Sequence, residues 1–280
     1  LCVQLLAYAA ATAAAWAIVT FVPQSDPLWT AALADAVATV VIFAFSVALS
    51  NSSMYDPYWS VAPPALFAYW ITQGEPSMRA WIALALVVLW GARLTWNFAR
   101  GWPGLHHEDW RYVDLRGKTG GGYWVVSFLG LHFFPTVLTF VGSLSLYVVA
   151  MSGARPLGLL DGVAALVTLG AITIEGLADE QLRAHAQSSP PRGSICERGL
   201  WRYSRHPNYF GEVGFWWGLA LFALAADPSK LWVLAGPIAI TALFVFISIP
   251  MIDKRMVARR PAYAEHMKRV SGLVPWFRRG

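Results

Sequence analysis

Apolar runs about as long as a bilayer is thick recur along this chain, and its charges are confined to the short segments between them. Crossing the hydrocarbon core as a helix takes roughly 20 apolar residues. A backbone in lipid must also satisfy its own hydrogen bonds, which restricts a chain of this kind to a bundle of transmembrane helices. Of 280 residues, 57% are hydrophobic and 13% charged, about half the roughly 25% charge of a soluble domain. The expected fold is therefore an all-α polytopic bundle of about seven to eight helices. The apolar segments are 1–22, 28–50, 58–72, 79–99, 123–150, 157–186, 208–226 and 231–252, with Pro23, Pro27, Gly74, Pro76, Pro156 and Pro228 in the connections. The third segment is short and carries Pro63-Pro64, Pro135 is placed to bend the fifth, and Gly120-Gly121-Gly122 reads as a flexible entry to it. Residues 1–50 read as two N-terminal helices ahead of a catalytic core over 51–280, all within one membrane domain.

The net charge of +5 fits membrane topology rather than nucleic-acid binding. Arg100, Arg111, Arg116 and Lys118 surround one loop, and Arg183, Arg192, Arg198, Arg202 and Arg205 another. The tail adds Lys254, Arg255, Arg259, Arg260, Lys268, Arg269, Arg278 and Arg279, while the opposite face keeps Arg79, Arg155 and Lys230. By the positive-inside rule this bias puts both termini in the cytoplasm and implies an even number of spans. Leu1–Val22 lacks the cationic start and the cleavage site of a secretory signal peptide. Cys2 and Cys196 lie too far apart in sequence to suggest a disulfide framework or a metal pattern. His106-His107 beside Glu108-Asp109 matches no metal-ligand spacing, so no metal is expected.

Polar and ionisable groups inside apolar helices are costly, which makes them functional candidates. Arg205-His206-Pro207-Asn208-Tyr209-Phe210-Gly211-Glu212 opens an apolar helix with a cation, an imidazole, an amide, a phenol and a carboxylate. Pro207 suits a first-turn position, and a helix N-terminus near cations favours an anion such as a phosphate. Asn208 and Glu212 share a helical face. So do Glu175, Asp179 and Arg183, which read either as a structural ion-pair ladder or as the polar wall of a cofactor pocket. Asn51-Ser52-Ser53-Met54-Tyr55-Asp56-Pro57-Tyr58 joins the second and third segments. Asp56 there either caps a helix beginning at Pro57 or faces a membrane cavity as a proton-donating acid, with Tyr55 and Tyr58 able to share that role. Asn97, Arg100, Glu108, Asp109, Arg111 and Tyr112 form a looser set after the fourth segment, and Arg93, inside an apolar run, needs a partner such as Asp35, Glu175 or Asp179.

The run Arg205–Glu212 resembles the C-terminal part of the steroid 5-alpha-reductase superfamily, with the nearest likeness to its bacterial membrane branch. Asn208 and Glu212 fall on that family's Asn-(Tyr/Phe)-x-Gly-Glu motif. Glu175-Gly176-Leu177-Ala178-Asp179 is similar to its Asn-x-x-x-Asp segment, and Arg100-Gly101-Trp102-Pro103 to its Arg-Gly-Arg-Pro. Tyr55-Asp56-Pro57, with Val61-Ala62-Pro63 behind it, looks like its Gln-Glu-Leu-Pro segment. The likeness covers roughly residues 51 to 276 and none of the first two helices. It implies an integral protein of the bacterial inner membrane in which NADPH delivers hydride to a carbon–carbon double bond conjugated to a ketone, in a lipid such as a 3-oxo-4-ene steroid. Asp56, with Tyr55 or Tyr58, would act at the substrate carbonyl. Asn97, Arg100, Arg111, Tyr112, Glu175, Asp179, Arg183, Arg205, His206, Asn208, Tyr209, Glu212 and Arg255 would surround the cofactor, with Arg183, Arg205 and Arg255 as candidates for its phosphates.

Two departures stand out. Glu175 replaces the family's asparagine, and the tyrosine that partners the family's acid has Trp90 near its place. The same Arg-His-Pro-x-Tyr-x-Gly string also resembles isoprenylcysteine carboxyl methyltransferases, which use S-adenosylmethionine. Asp56 and the many cations favour the reductase, because that methyl transfer needs no membrane proton donor and S-adenosylmethionine carries no phosphate.

Overall fold

A computed structural model describes residues 1–22, 24–153, 155–191 and 193–278. Pro23, and the cations Arg192 and Arg279 used in the charge argument, lie outside the described residues. Within them the chain is helical and no strand forms; an isolated parallel bridge joins Ser204 to Ser271. The residues group into two compact units, Leu1–Arg155 and Pro156–Gly280, and positions on both sides of residue 50 belong to the first.

The first unit opens with α1 (Cys2–Phe21) and α2 (Pro27–Ala48), where Asp26 caps α2 by accepting from the Leu28 amide. A 3-10 turn over Ser52–Tyr55 leads into α3 (Tyr58–Gln73), and α4 (Met78–Gly101) follows, capped by Ser77. Next come α5 (Trp110–Thr119), a 3-10 turn at Gly120–Gly122, α6 (Tyr123–Ser127), a π turn at Phe128–Phe133, and α7 (Phe134–Met151). The three glycines form the turn between α5 and α6, where Gly120 ends α5 at a φ of +52°, a conformation that favours glycine. The departure from α geometry expected at Pro135 takes the form of the π turn just ahead of it. A proline has no N–H to give the carbonyl four residues back, so regular i→i−4 bonding fails there.

The second unit is built on α8 (Leu159–Gln187) and α9 (Pro207–Ala226). It continues through a 3-10 turn at Leu231–Leu234, α10 (Ala235–Leu243), a π turn at Phe244–Ser248, α11 (Ile249–Arg259) and the short α12 (Tyr263–Arg269). Seven of the described helical stretches are long and apolar enough to cross a membrane: 2–21, 27–48, 78–101, 110–151, 159–187, 207–226 and 231–259. The third apolar segment, 58–72, became α3, whose 16 residues fall short of the roughly 20 a perpendicular span needs.

Helices α8 and α9 approach closely because Gly211, Gly214 and Gly218 line one face of α9. A Cβ at Gly218 would sit 2.2 Å from Thr168 Oγ1 and 3.0 Å from the Thr168 Cα, and one at Gly211 would sit 2.8 Å from the Ala171 carbonyl oxygen. Small residues let transmembrane backbones touch where lipid offers no hydrophobic drive to bring them together. At Gly214 the nearest atom would be the Ala171 Cβ at 3.2 Å. Gly211→Ala and Gly218→Ala should therefore each destabilise the protein by about 1–3 kcal/mol, the usual cost of overpacking, with a smaller loss for Gly214→Ala. Thermal unfolding of the three variants in detergent tests this order.

Candidate functional site

In the first unit the structure brings together two sequence segments that looked separate. The 3-10 turn after α2 is clasped to the loop leading into α5. Asn51 donates from Nδ2 to the carbonyls of Leu105 (3.0 Å) and His107 (2.8 Å), while its Oδ1 accepts from the Ser53 amide. The Ser52 amide donates to Glu108 Oε1 at 2.7 Å, and the Asp109 amide to Ser53 Oγ at 3.0 Å. Arg116 pairs with Glu108 at 3.0 Å and lies over the ring of Tyr123, 3.9 Å from its centroid.

This clasp sets Tyr112 against Asp56. The Tyr112 hydroxyl donates to Asp56 Oδ1 at 2.5 Å, and Tyr112 itself is buried. Asp56 does not cap α3: Pro57 occupies the cap position and no side chain bonds there. Burial raises the Asp56 pKa to about 6, opposed by the hydrogen bond from Tyr112 and the charge of Arg111. Desolvation outweighs both because an ionised carboxylate loses far more hydration than one phenol and a nearby cation return. Arg111 is held at 2.7 Å by Asp109.

The phenols expected to share the role of Asp56 are turned elsewhere. The Tyr55 hydroxyl bonds to Thr136 Oγ1 at 2.7 Å. The Tyr58 hydroxyl donates to Asp35 Oδ1 at 2.6 Å, so Asp35 is held by a phenol and not by Arg93. The partner of Asp56 is Tyr112, which sequence reasoning had placed with the cofactor. Their separation of 56 positions hides the pairing in the sequence; the visible signal was an aromatic among charges just after an apolar run. Asn97 and Arg100 bond to each other at the end of α4 at 3.1 Å, with Arg100 exposed.

In the second unit, Asn208 Nδ2 reaches Asp179 Oδ1 at 3.4 Å, so α8 and α9 do present their polar residues to each other. Glu175 is buried against Gly211, and Glu212, also buried, accepts from Trp216 Nε1 at 2.9 Å. Arg183 continues the same stripe one turn beyond Asp179, and Arg255 stands partly buried on α11.

Arg205 and His206 have protein partners on α11 and the tail. Arg205 Nη2 pairs with Asp253 Oδ2 at 2.7 Å, and its Nη1 donates to the Met267 and Val270 carbonyls at 3.2 and 2.7 Å. His206 Nε2 meets Asp253 Oδ1 at 2.9 Å, and the Tyr263 hydroxyl donates to that same oxygen at 3.1 Å. The Tyr209 ring stacks on His206 with a centroid distance of 5.4 Å. Ser204 and Tyr203 complete the clamp, taking hydrogen bonds to Leu273 and from Trp276. Asp253, a lone acid in the last apolar stretch, was absent from the sequence-based site, though a carboxylate in that position is itself a signal.

Beside this clamp lies a cavity of about 440 Å³ lined by Arg205, Lys268, Arg269, the backbone of Val270–Gly272, Trp276 and Phe277. Arg205 Nε is buried there without a hydrogen-bond partner among the described residues. Lys268 is bonded to Glu265, and Arg269 is exposed. Outside the membrane segments, Glu197 joins the clamp from the preceding loop. Burial alone would raise its pKa, but hydrogen bonds and charge from Arg278 and His266 bring it below the usual range.

Removing one member of a buried pair strands the other charge, at a cost of about 3–5 kcal/mol. Asp253→Ala should cost that much and should release the tail, raising amide exchange over residues 270–276 while α8 stays protected. Exchange mass spectrometry on the purified protein reads both effects.

Residues 42–270 match a protein family described as of unknown function, DUF1295. An uncharacterised protein of Schizosaccharomyces pombe is 26% identical over 281 residues, covering 91% of this chain and 81% of the relative. No solved structure matches the chain. With most of its length inside the family match, this integral membrane protein belongs to the DUF1295 family.

Proposed function

We propose that this protein is an NADPH-dependent reductase of a conjugated carbon–carbon double bond in a membrane lipid, such as a 3-oxo-4-ene steroid. The Asp56–Tyr112 pair carries the reading, because reducing an enone requires an acid at the carbonyl oxygen, and here a buried carboxyl of raised pKa is held by a phenol. With Tyr112 donating to Oδ1, the neutral carboxyl keeps its own proton on Oδ2 for the substrate oxygen. Drawing electrons toward that oxygen makes the distal alkene carbon electrophilic. The likeness of Arg205–Glu212 and Glu175–Asp179 to the steroid 5-alpha-reductase superfamily supports the same assignment.

The donor set of the second unit fits the cofactor. Carboxylates at Glu175, Asp179 and Glu212 accept from ribose hydroxyls or a carboxamide, and Asn208 both donates and accepts. Bound there, NADPH supplies the hydride. Its phosphates are best met by Arg205 Nε and Arg269 in the basic cavity, whose volume of about 440 Å³ falls within the roughly 300–1,000 Å³ of ligand pockets. Trp276 and Phe277 offer aromatic faces for a base. The excess of cations in the loops after α4 and α8 and in the tail supports an inner-membrane protein whose tail lies in the cytoplasm; the expected even number of spans, with both termini on that side, requires α3 to cross as well, because the seven long apolar stretches alone put the termini on opposite faces.

Titration with cofactors tests the assignment. NADPH should raise the unfolding temperature of purified protein and S-adenosylmethionine should not; the reverse result identifies a methyltransferase instead. Asn208→Ala should weaken NADPH binding about tenfold, the equivalent of about 1.4 kcal/mol, while Asp56→Asn leaves it unchanged and slows turnover by about 10²–10⁴, the usual share of a general acid.

The raised pKa also fixes a pH dependence. A carboxyl titrating at about 6 in the folded protein, above its ordinary 3.8, is protonated below pH 6 and ionised above it. Single-turnover reduction should therefore fall as pH rises through about 6. Stability follows the same sign: the contribution of the neutral buried acid is fully present below its ordinary pKa and is lost on rising through the folded value. Asp56→Asn should flatten both profiles between pH 4 and 7, measured by stopped-flow absorbance and by thermal unfolding.

A further inference from the structure

A second carboxylate, Asp109, stands at the same site as Asp56, at the end of the loop that leads into α5. Three hydrogen bonds tie it there. Its amide donates to Ser53 Oγ at 3.0 Å, and its Oδ1 caps α5 by accepting from the Arg111 amide at 2.9 Å. The same oxygen accepts from Arg111 Nε at 2.7 Å. Ser53 in turn bonds to Asp56, so one serine links the two acids.

A single cation serves both. The Arg111 guanidinium lies over the Tyr112 ring, 5.5 Å from its centroid, and the hydroxyl of that ring donates to Asp56 at 2.5 Å. From there the charge of Arg111 acts on Asp56, and the charge of Asp109 acts on it in the opposite sense. The other groups facing Asp56 are Ser53 from its own turn, Tyr112 from α5 and the Tyr8 phenol from α1. Glu108, beside Asp109 in the sequence, is occupied by Arg116 at 3.0 Å and by the Ser52 amide at 2.7 Å. Arg111 therefore acts on two carboxylates and is bonded to one of them, Asp109.

That choice of partner decides what Asp56 can do. An arginine in contact with a carboxyl lowers its pKa by about 1–3 units, and an ionised carboxylate accepts hydrogen bonds but has no proton to donate. Bonded to the phenol, Asp56 can take up and release a proton near neutral pH; paired with Arg111 it would stay ionised. We propose that Asp109 is a positioning residue for Asp56: its carboxylate holds the Arg111 guanidinium off the acid and so leaves Asp56 to Tyr112. Asp109 acts through Arg111 and takes no part in the proton transfer. Its value to catalysis rests on the reductase reading, whereas its effect on the protonation of Asp56 depends only on these side chains.

Infrared titration of the full-length protein in nanodiscs, isotopically labelled at its aspartate carboxyls, reads Asp56 without cofactor or substrate. Asp56→Asn identifies its band. In the wild-type protein the protonated band should titrate at about 6. Asp109→Asn keeps the cap on α5, because asparagine caps as well as aspartate, and frees Arg111 to pair with Asp56. The midpoint should then fall by about 1 unit, the low end of the range for an arginine contact, because the Arg111 side chain is 41% exposed and partly screened. Asp109→Glu retains the charge and should keep the wild-type midpoint. Asp109→Asn combined with Arg111→Gln should return to it, since no cation is left to pair. An unchanged or raised midpoint in Asp109→Asn overturns the proposal, and so does a lowered midpoint in the double variant. The pH dependence of single-turnover reduction should shift with the infrared midpoint. Infrared shifts as stated in a protein that never oxidises NADPH remove the reductase reading and leave the hold of Asp109 on Arg111 supported.

Discussion

A polar side chain in an apolar helix has to find its partner on another segment, and most of the tertiary organisation of this protein answers that constraint. Water is absent from the hydrocarbon core, so an unmet donor or acceptor has nowhere else to turn. In the first unit the solutions are chains of hydroxyls. Tyr55 and Thr39 both bond to Thr136, which donates back to the His132 carbonyl, while Ser46 meets His132. In the second unit the solution is ionic: Asp253 gathers Arg205, His206 and Tyr263 around one carboxylate. Each network joins elements that lipid alone gives little reason to associate.

The same constraint separates structural polar groups from candidate functional ones. Arg205 and His206 open an apolar helix and look like ligand-binding groups in the sequence, yet most of their hydrogen-bonding capacity goes to Asp253 and to tail carbonyls. They still shape the proposed cofactor site, because the clamp they form holds Val270–Gly272 and Trp276 against the basic cavity. Asp56 lies at the other extreme. It is held by the Tyr112 phenol and by Ser53, and burial still leaves it with a raised pKa, a poise that suits proton transfer and contributes little as a structural staple. Asp35 resembles it in kind, a carboxyl with one phenolic donor, but faces an apolar cavity within the membrane helices.

Much of the fold was legible in the sequence. Periodic apolar runs and their proline and glycine boundaries located most of the helices to within a few residues, because helix formation in lipid is a local backbone requirement. The limits of that reading are physical too. The apolar run at 231–252 continues as helix to Arg259 because charge does not stop a helix that has left the hydrocarbon. Helix α5 went unread because its polar composition carries no apolar period. Helical spacing put Asp179 on one face of α8 and Asn208 on one face of α9, whereas their meeting and the Tyr112–Asp56 and Asp253–Arg205 pairs did not follow from it, since their members are 29, 56 and 48 positions apart.

The sequence by itself determined that this chain is a bundle of membrane helices and that polar side chains gather near Asp56, along α8 and at the start of α9. Both conclusions come from the cost of placing polar groups in lipid, which depends on residue type and local context alone. Only the tertiary structure decided which phenol serves which acid, which cations are already neutralised and where space remains. Those outcomes depend on distances between remote segments: the glycine face that lets α9 touch α8, the clasp that carries Tyr112 to Asp56, and the alanines that leave a cavity beside Asp35.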